Sequence, residues 1–267
     1  MISPHSLRGI LPRGSTLFVA VSGGKDSVAL LHSLWRIRGE LGIRIVAYHI
    51  NLGIPTFSER SEEVVRSLSR DLGIPLVITD LERDFGFTVP EASRATDRKP
   101  CSVCGIVKRY LQNRVPRELG ASAVATGHNA DDFAKFALKD LYSGEALWLS
   151  KISRILASED PLLLPKLRPL IHRTGEEILT YVEENDLPYV RERCPLAPRR
   201  DRFLEVVTVA EGIIPGFRKG LVRGAERLSK SLKPRTPPLV RCSICGEPTS
   251  TDPCSFCRLR MAVERKS

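Results

Sequence analysis

The residues Ala20-Val21-Ser22-Gly23-Gly24-Lys25-Asp26-Ser27 directly follow a short apolar run, Thr16-Leu17-Phe18-Val19. A strand, a glycine turn and a helix start in one stretch make an anion cradle. The glycines allow a sharp turn, and backbone N–H groups and the positive end of the helix then point at the same place. A nucleotide phosphate belongs there. Lys25, Asp26 and the flanking serines supply more polar chemistry than a simple connecting turn needs. The spacer of the Walker loop, Gly-x-x-x-x-Gly-Lys-Ser/Thr, is missing, which argues against a kinase or GTPase.

The seven cysteines are the second chemical resource. Their odd number, in a chain with no export signal, argues against a disulfide framework and for metal or sulfur chemistry. Cys242-x-x-Cys245 and Cys254-x-x-Cys257 supply two thiolate pairs, each on a tight turn, which suits a closed tetrahedral zinc site. Such a site is structural, because a tail this short has too little core of its own. Cys101, Cys104 and the distant Cys194 remain. Three thiolates can hold a soft metal or an iron–sulfur cluster while leaving one coordination position open. The alternative is a persulfide carrier and its resolving thiol, activated by Lys108 and Arg109.

The elements that must position these groups alternate. Leu31, Leu34, Trp35 and Leu41 recur at helical spacing, so the phosphate loop opens an amphipathic helix. Residues 43–50 read as a second strand, and Thr56 with Glu59 as a capping box for a helix reaching Leu72. Residues 75–79 give a third strand, 80–100 a polar irregular segment, 102–119 a helix, and 122–126 a fourth strand running into Gly127–Asp132. This order is an α/β doubly wound parallel sheet, in which ligands bind beyond the carboxyl ends of the strands. The phosphate loop, the turn at His49 and Asn51, and the Gly127–Asp132 turn then share one edge. Beyond Leu149 strand signals thin out. Thr174 with Glu177 starts a helix ending near Asp186, a basic helix runs from about Gly216 to Ser231, and Lys233–Pro238 reads as a linker. The expected division is a catalytic domain at 1–175, a basic helical extension at 176–235 that completes the cysteine site, and a zinc ribbon or knuckle at 236–267.

Lys and Arg number 41 against 31 acidic residues, a net charge of +10. The excess is concentrated in residues 191–235, with twelve basic and five acidic residues, which suggests a polyanion partner. No run of about twenty apolar residues is present. With no signal-peptide pattern at Met1–Leu11, a soluble cytoplasmic protein with no membrane partner is expected.

Four motifs in order now carry a resemblance: Ser22–Ser27, the run from Cys101 through Cys104 and Lys108 to Tyr110, Ala125–Asp132, and Arg193-Cys194-Pro195. Together they resemble the tRNA 2-thiolation enzymes of the PP-loop ATPase superfamily, the group of T-loop 2-thiouridine synthetases and cytosolic wobble-uridine thiolation proteins. The resemblance implies an adenine-nucleotide alpha-hydrolase-like PP-loop domain. It implies adenylation of the C2 oxygen of a tRNA pyrimidine, most simply uridine, and replacement of AMP by sulfur. The ATP site carried over is Ala20, Val21, Ser22, Gly23, Gly24, Lys25, Asp26 and Ser27, with His49, Ile50, Gly127 and His128. Mg²⁺ is expected between Asp26 and the phosphates. Lys108 and Asp132 or Asp131 carry over as catalytic, with Asp26. Cys101, Cys104 and Cys194 would bind a [4Fe–4S] cluster whose unligated iron carries the incoming sulfide, and the tail cysteines Zn²⁺. The implied partners are tRNA and a ubiquitin-like sulfur carrier or a cysteine desulfurase, with a homodimer compatible. Arg199, Arg200, Arg202, Arg218 and Lys219 are the expected RNA contacts.

Two departures stand out. Phe133-Ala134-Lys135 replaces the usual Glu-Ala-Gln, removing negative charge near the site, and no cysteine precedes Cys101, so the relatives' amino-terminal zinc module has no counterpart. These keep two alternatives in view: a catalytically idle RNA-binding paralogue, and a PP-loop amidotransferase or ligase with zinc on Cys101, Cys104 and Cys194.

Overall fold

The apolar run is strand β1 (Thr16–Ala20), and a computed structural model, which describes residues 1–158, 160–233 and 238–266, shows why it is apolar throughout. Leu17, Val19 and Val21 pack on one side with Leu30, Leu31 and Leu34, while Phe18 and Ala20 pack on the other with Tyr48 and Val124. Both faces are covered, as a parallel sheet between helical layers requires. After the phosphate loop come α1 (Lys25–Leu41), β2 (Arg44–Asn51), α2 (Phe57–Asp71) and β3 (Leu76–Asp80). Then follow α3 (Leu81–Phe85), α4 (Val89–Thr96), α5 (Pro100–Glu118), β4 (Ala123–Ala125) and α6 (Ala130–Ser143). The chain continues through α7 (Ala146–Leu149), β5 (Ile155–Leu156), β6 (Lys166–Leu167), α8 (Gly175–Glu184), α9 (Arg202–Ile213) and α10 (Phe217–Ser231). It closes with the hairpin β7 (Val240–Arg241) and β8 (Pro248–Thr249), and α11 (Ser255–Glu264).

The main sheet has the order β3-β2-β1-β4-β6-β5, with every pairing parallel except β5 against β6. Chain order reverses between β1 and β4. That switch point opens the crevice into which the turns after both strands project.

Several local expectations are corrected. The first turns of α1 are buried all round, from Ser27 to Leu34, so the helix runs through the core and is amphipathic only later. Thr56 makes no side-chain cap and sits at φ 63°, so the Thr56–Glu59 box does not form; Ser58 instead accepts the Ile54 N–H at 3.0 Å. Residues 80–100 are mostly helical, α4 opening with a Thr88–Glu91 capping box. The edge strands β5 and β6, two residues each, are too short to leave a periodic pattern. Thr174 and Glu177 do cap α8, whose Ile178 and Val182 join the apolar cluster of β1 and α1. The expected linker at 233–238 falls largely on residues 234–237, outside those described.

The cysteine tail is not free-standing. Cys242, Phe256 and Leu259 share one cluster with Phe87, Val89, Val103 and Ile106 of the main body. Phe256 stacks on Tyr110 of α5 with ring centroids 3.9 Å apart and meets Phe85 edge-on at 5.2 Å. The Arg117 guanidinium grips the buried Glu247 carboxylate, one contact being 2.8 Å. Phe256→Ala removes the ring at the centre of this junction and should cost about 3–5 kcal/mol in denaturant unfolding, with earlier protease cleavage in the tail.

Candidate active site

The phosphate loop is built from backbone contacts. The Val21 N–H donates to the Tyr48 carbonyl at 2.8 Å, and the Ser22 N–H to the Ser27 hydroxyl oxygen at 3.0 Å. Ser27 Oγ in turn donates to the Gly24 carbonyl at 2.9 Å, closing the loop on the first turn of α1. Gly23 lies at φ +80°, and a Cβ there would sit 2.8 Å from the Ser61 carbonyl oxygen of α2. Gly24 has ordinary extended geometry and only Ser22 Oγ within 4 Å of its would-be Cβ, so the fold itself needs only the first glycine.

The turn after β4 presses against this loop. A Cβ on Gly127 would lie 3.1 Å from both the Asp26 carbonyl carbon and the Ser27 nitrogen. Asn129 caps α6 in a box with Asp132, and its side-chain amide donates to Asp26 at 3.0 Å. Lys25 pairs with Asp26 at 2.7 Å, both partly exposed. His49 is buried on β2, its Nδ1 donating to the Val21 carbonyl at 2.8 Å while Nε2 has no partner. Burial is the main cause that lowers the His49 pKa and keeps the ring neutral.

The two acidic residues of α6 divide. Asp131 Oδ2 accepts the Gly175 N–H at 2.6 Å, and Oδ1 is ion-paired with the Arg218 guanidinium at 3.1 Å. Burial raises the Asp131 pKa, opposed by those two contacts. Asp132 is more exposed and has Lys135 at 3.5 Å. Lys135 also reaches Asp201, the cap of α9, at 3.3 Å. Phe133 points inward, 3% exposed, beneath the Arg168 guanidinium, so this departure falls in the packing of α6 and not on the site surface.

The third group stands on α5. Cys101, Cys104 and Lys108 follow helical spacing along one face, and the turn carrying Cys194 folds over them. Cys101 Sγ lies 4.0 Å from the Leu196 carbonyl, while Cys104 and Cys194 border the same apolar cluster. Arg193 staples this turn by donating to the Pro198 and Arg199 carbonyls. Packing around its thiol raises the Cys101 pKa, Cys104 and Cys194 push it further, and Lys108 and Arg193 oppose them. The charge of Lys108 also reaches His49 and His128. In the tail, the thiols of Cys242, Cys245, Cys254 and Cys257 all lie within 4.8 Å of one another, a group that could hold one metal ion. In that group Cys242 and Cys257 are 3.9 Å apart and Cys245 and Cys254 3.8 Å, matching the edge of about 3.8 Å for four thiolates around one zinc.

A family model for the PP-loop domain matches residues 7–202. The chain belongs to the PP-loop family. The chain is 37% identical over 97% of its length to the tRNA-5-methyluridine(54) 2-sulfurtransferase of Thermus thermophilus, covering 80% of that protein. It is 32% identical over 96% of its length to the mouse cytoplasmic tRNA 2-thiolation protein 1, covering 63% of it. Its fold is similar to the U34-tRNA thiolase NcsA from Methanococcus maripaludis with its [4Fe–4S] cluster, with a TM-score of 0.78, 26% identity, and coverage of 90% of this chain and 79% of that one.

Within this PP-loop site the expected RNA contacts need correction. Arg218 is 6% exposed and pairs with Asp131 and Glu176. Lys219 is half-buried against Glu177 at 2.9 Å. Both hold α10 to α6 and α8, while Arg199 and Arg202 are exposed and Arg200 is exposed in a pair with Glu205. Asn129, absent from the expected site, does carry a local signal, since an Asn three residues before an acid is a cap signature. Gly175 and Arg218 have no local signal, since each matters only through a contact with Asp131 made across the fold.

Two substitutions test these roles. Gly23→Ala should weaken ATP binding roughly tenfold or more, from about 1–3 kcal/mol of loop strain, while far-UV circular dichroism is kept and Gly24→Ala folds normally. Arg218→Ala strands the partly buried Asp131 carboxylate and should lower unfolding stability by about 1–3 kcal/mol, without changing how steeply RNA binding falls with salt.

Proposed function

We propose that this protein is an ATP-dependent tRNA sulfurtransferase that adenylates the C2 oxygen of a tRNA pyrimidine, uridine by preference, and replaces it with sulfur. What supports this reading is a chain of neighbours: the phosphate loop bonds to His49 through Val21, and the charge of Lys108 acts on both His49 and the Cys101 thiol, which Cys104 and Cys194 also influence. Relatives named as tRNA 2-sulfurtransferases and thiolation proteins support it.

In the reaction the C2 oxygen attacks the α-phosphorus of ATP and pyrophosphate leaves. Sulfide then adds at C2, and AMP departs with the former oxygen. The chain's residues supply placement and charge. The open N–H end of α1 and Lys25 receive phosphate charge, and Asp26, aligned by Asn129, offers a carboxylate to a Mg²⁺ shared with the phosphates. The acids gather no three-carboxylate cage among the described residues, so phosphate oxygens would complete the coordination. Lys108 would stabilise negative charge developing between nucleotide and thiols, and Asp132, the more exposed of the two aspartates, is the one open to substrate.

The donor set fits a [4Fe–4S] cluster: three neighbouring soft thiols with no fourth cysteine beside them among the described residues. When bound, the cluster would offer an open iron position for sulfur delivery. The tail, with four thiols within 4.8 Å of one another, fits Zn²⁺. The tRNA would lie against exposed Arg199 and Arg202, with sulfur supplied by a ubiquitin-like carrier or a desulfurase.

Anaerobically purified protein should be brown, and Cys101→Ala should be colourless while keeping about one zinc per chain. Pyrophosphate release with tRNA should vanish in Asp26→Ala. A colourless wild type that binds two zinc ions when grown with ample iron would overturn the cluster assignment, and pyrophosphate release untouched by Asp26→Ala would overturn the adenylation site.

A further inference from the structure

A cavity of about 320 Å³ opens between α5, β6 and the cysteine ribbon, outside the nucleotide crevice. Three cations from three different segments line it: Arg109 on α5, Lys151 after α7, and Lys166 on β6. Among the described residues none of the three has a carboxylate within ion-pair distance. The one acidic side chain in the lining, Glu247, is taken by Arg117. Arg168 adds a fourth positive charge, its guanidinium tied to the Lys151 and Ser153 carbonyls. The first turn of α11, at Ser255 and Phe256, turns its positive end to the same space.

Among the described residues these cations are matched by no ion pair. Burial, then Arg168, Arg109 and Lys151, lower the Lys166 pKa to about 8. Like charges around one space favour an anion that completes the set. The cavity also neighbours the reaction centre: the charge of Lys166 reaches His128, and Arg109, next to Lys108, interacts with Cys104. At its rim the Trp148 ring is 53% exposed, with Lys151 Nζ 5.5 Å from its centroid. A flat exposed ring beside a cation suits a nucleic-acid strand better than a free anion, since a base can stack where the neighbouring phosphate is neutralised.

We propose that this cavity is a second anion site, distinct from the phosphate loop, which holds a backbone phosphodiester of the bound RNA through Lys166, Arg109 and Lys151 with an adjacent base on Trp148. This rests on tRNA being the substrate. Lys166 shares the lining with Arg109 and Lys151, with the paired Glu247 and with Cys254, and Arg168 follows it just past the end of β6.

The test is tRNA affinity, by fluorescence anisotropy, against salt at pH 7. Lys166→Arg, which keeps the charge, should bind within about twofold of wild type with the same salt slope. Lys166→Met should bind several-fold more weakly at pH 7 with a log–log salt slope smaller by about 1, and Trp148→Ala should weaken binding without changing the slope. ATP affinity should be unchanged in all three variants, which also reports that they are folded. Lys166→Met with wild-type affinity and slope would overturn the site while leaving the sulfurtransferase reading intact. Loss of inorganic phosphate binding by Lys166→Met with tRNA affinity unchanged would mark a free-anion site and overturn the backbone assignment. Failure of the wild type to bind tRNA would remove both readings.

Discussion

The close approach of two turns governs the rest of the molecule. The loop after β1 rides on the Ser61 backbone, and the loop after β4 packs against the Asp26–Ser27 peptide, at separations where no side chain fits. Glycine at Gly23 and Gly127 is the condition for bringing N–H groups, Lys25, Asp26 and Asn129 around one anion-sized space. The buried sheet beneath, apolar on both faces, holds those turns still. A crevice at a switch point is common to many α/β folds, and what distinguishes this one is the polar set that the two turns bring into register.

Around that centre, charge is used in two ways. Arg218 and Lys219 face inward and bind α10 to Asp131, Glu176 and Glu177, so part of the basic carboxyl-terminal half of the chain is structural mortar. Arg109, Lys151 and Lys166 have no such acidic partners among the described residues, and they come from three segments far apart along the chain. Surplus positive charge is informative only where opposite charge is missing in three dimensions.

Helix α5 joins the two sulfur-bearing regions. One face carries Cys101, Cys104 and Lys108 toward the crevice; Tyr110 and Arg117 on other faces receive Phe256 and Glu247 of the ribbon. The tail has little core of its own and takes it from α4 and α5, so a metal at its four thiols would steady the far wall of the cationic cavity as well as the tail.

The phosphate loop, the strand–helix alternation through β4, the Thr174–Glu177 cap and the tail cysteine pairs were all readable along the chain, because each depends on residues within a few positions of one another. Capping, turn geometry and periodic burial are local, and their signals survive without a fold. The two-residue strands β5 and β6, the short helices in 80–100, the inward turn of Arg218 and the separation of Asp131 from Asp132 were not readable. Those features arise from contacts between segments many residues apart, such as Asp131 with Gly175 and Arg218. The amino-acid sequence by itself determined which chemical groups were available and the order in which they follow one another. Only the tertiary structure decided which charges would be neutralised and which left open, because ion pairing and burial depend on distance through space.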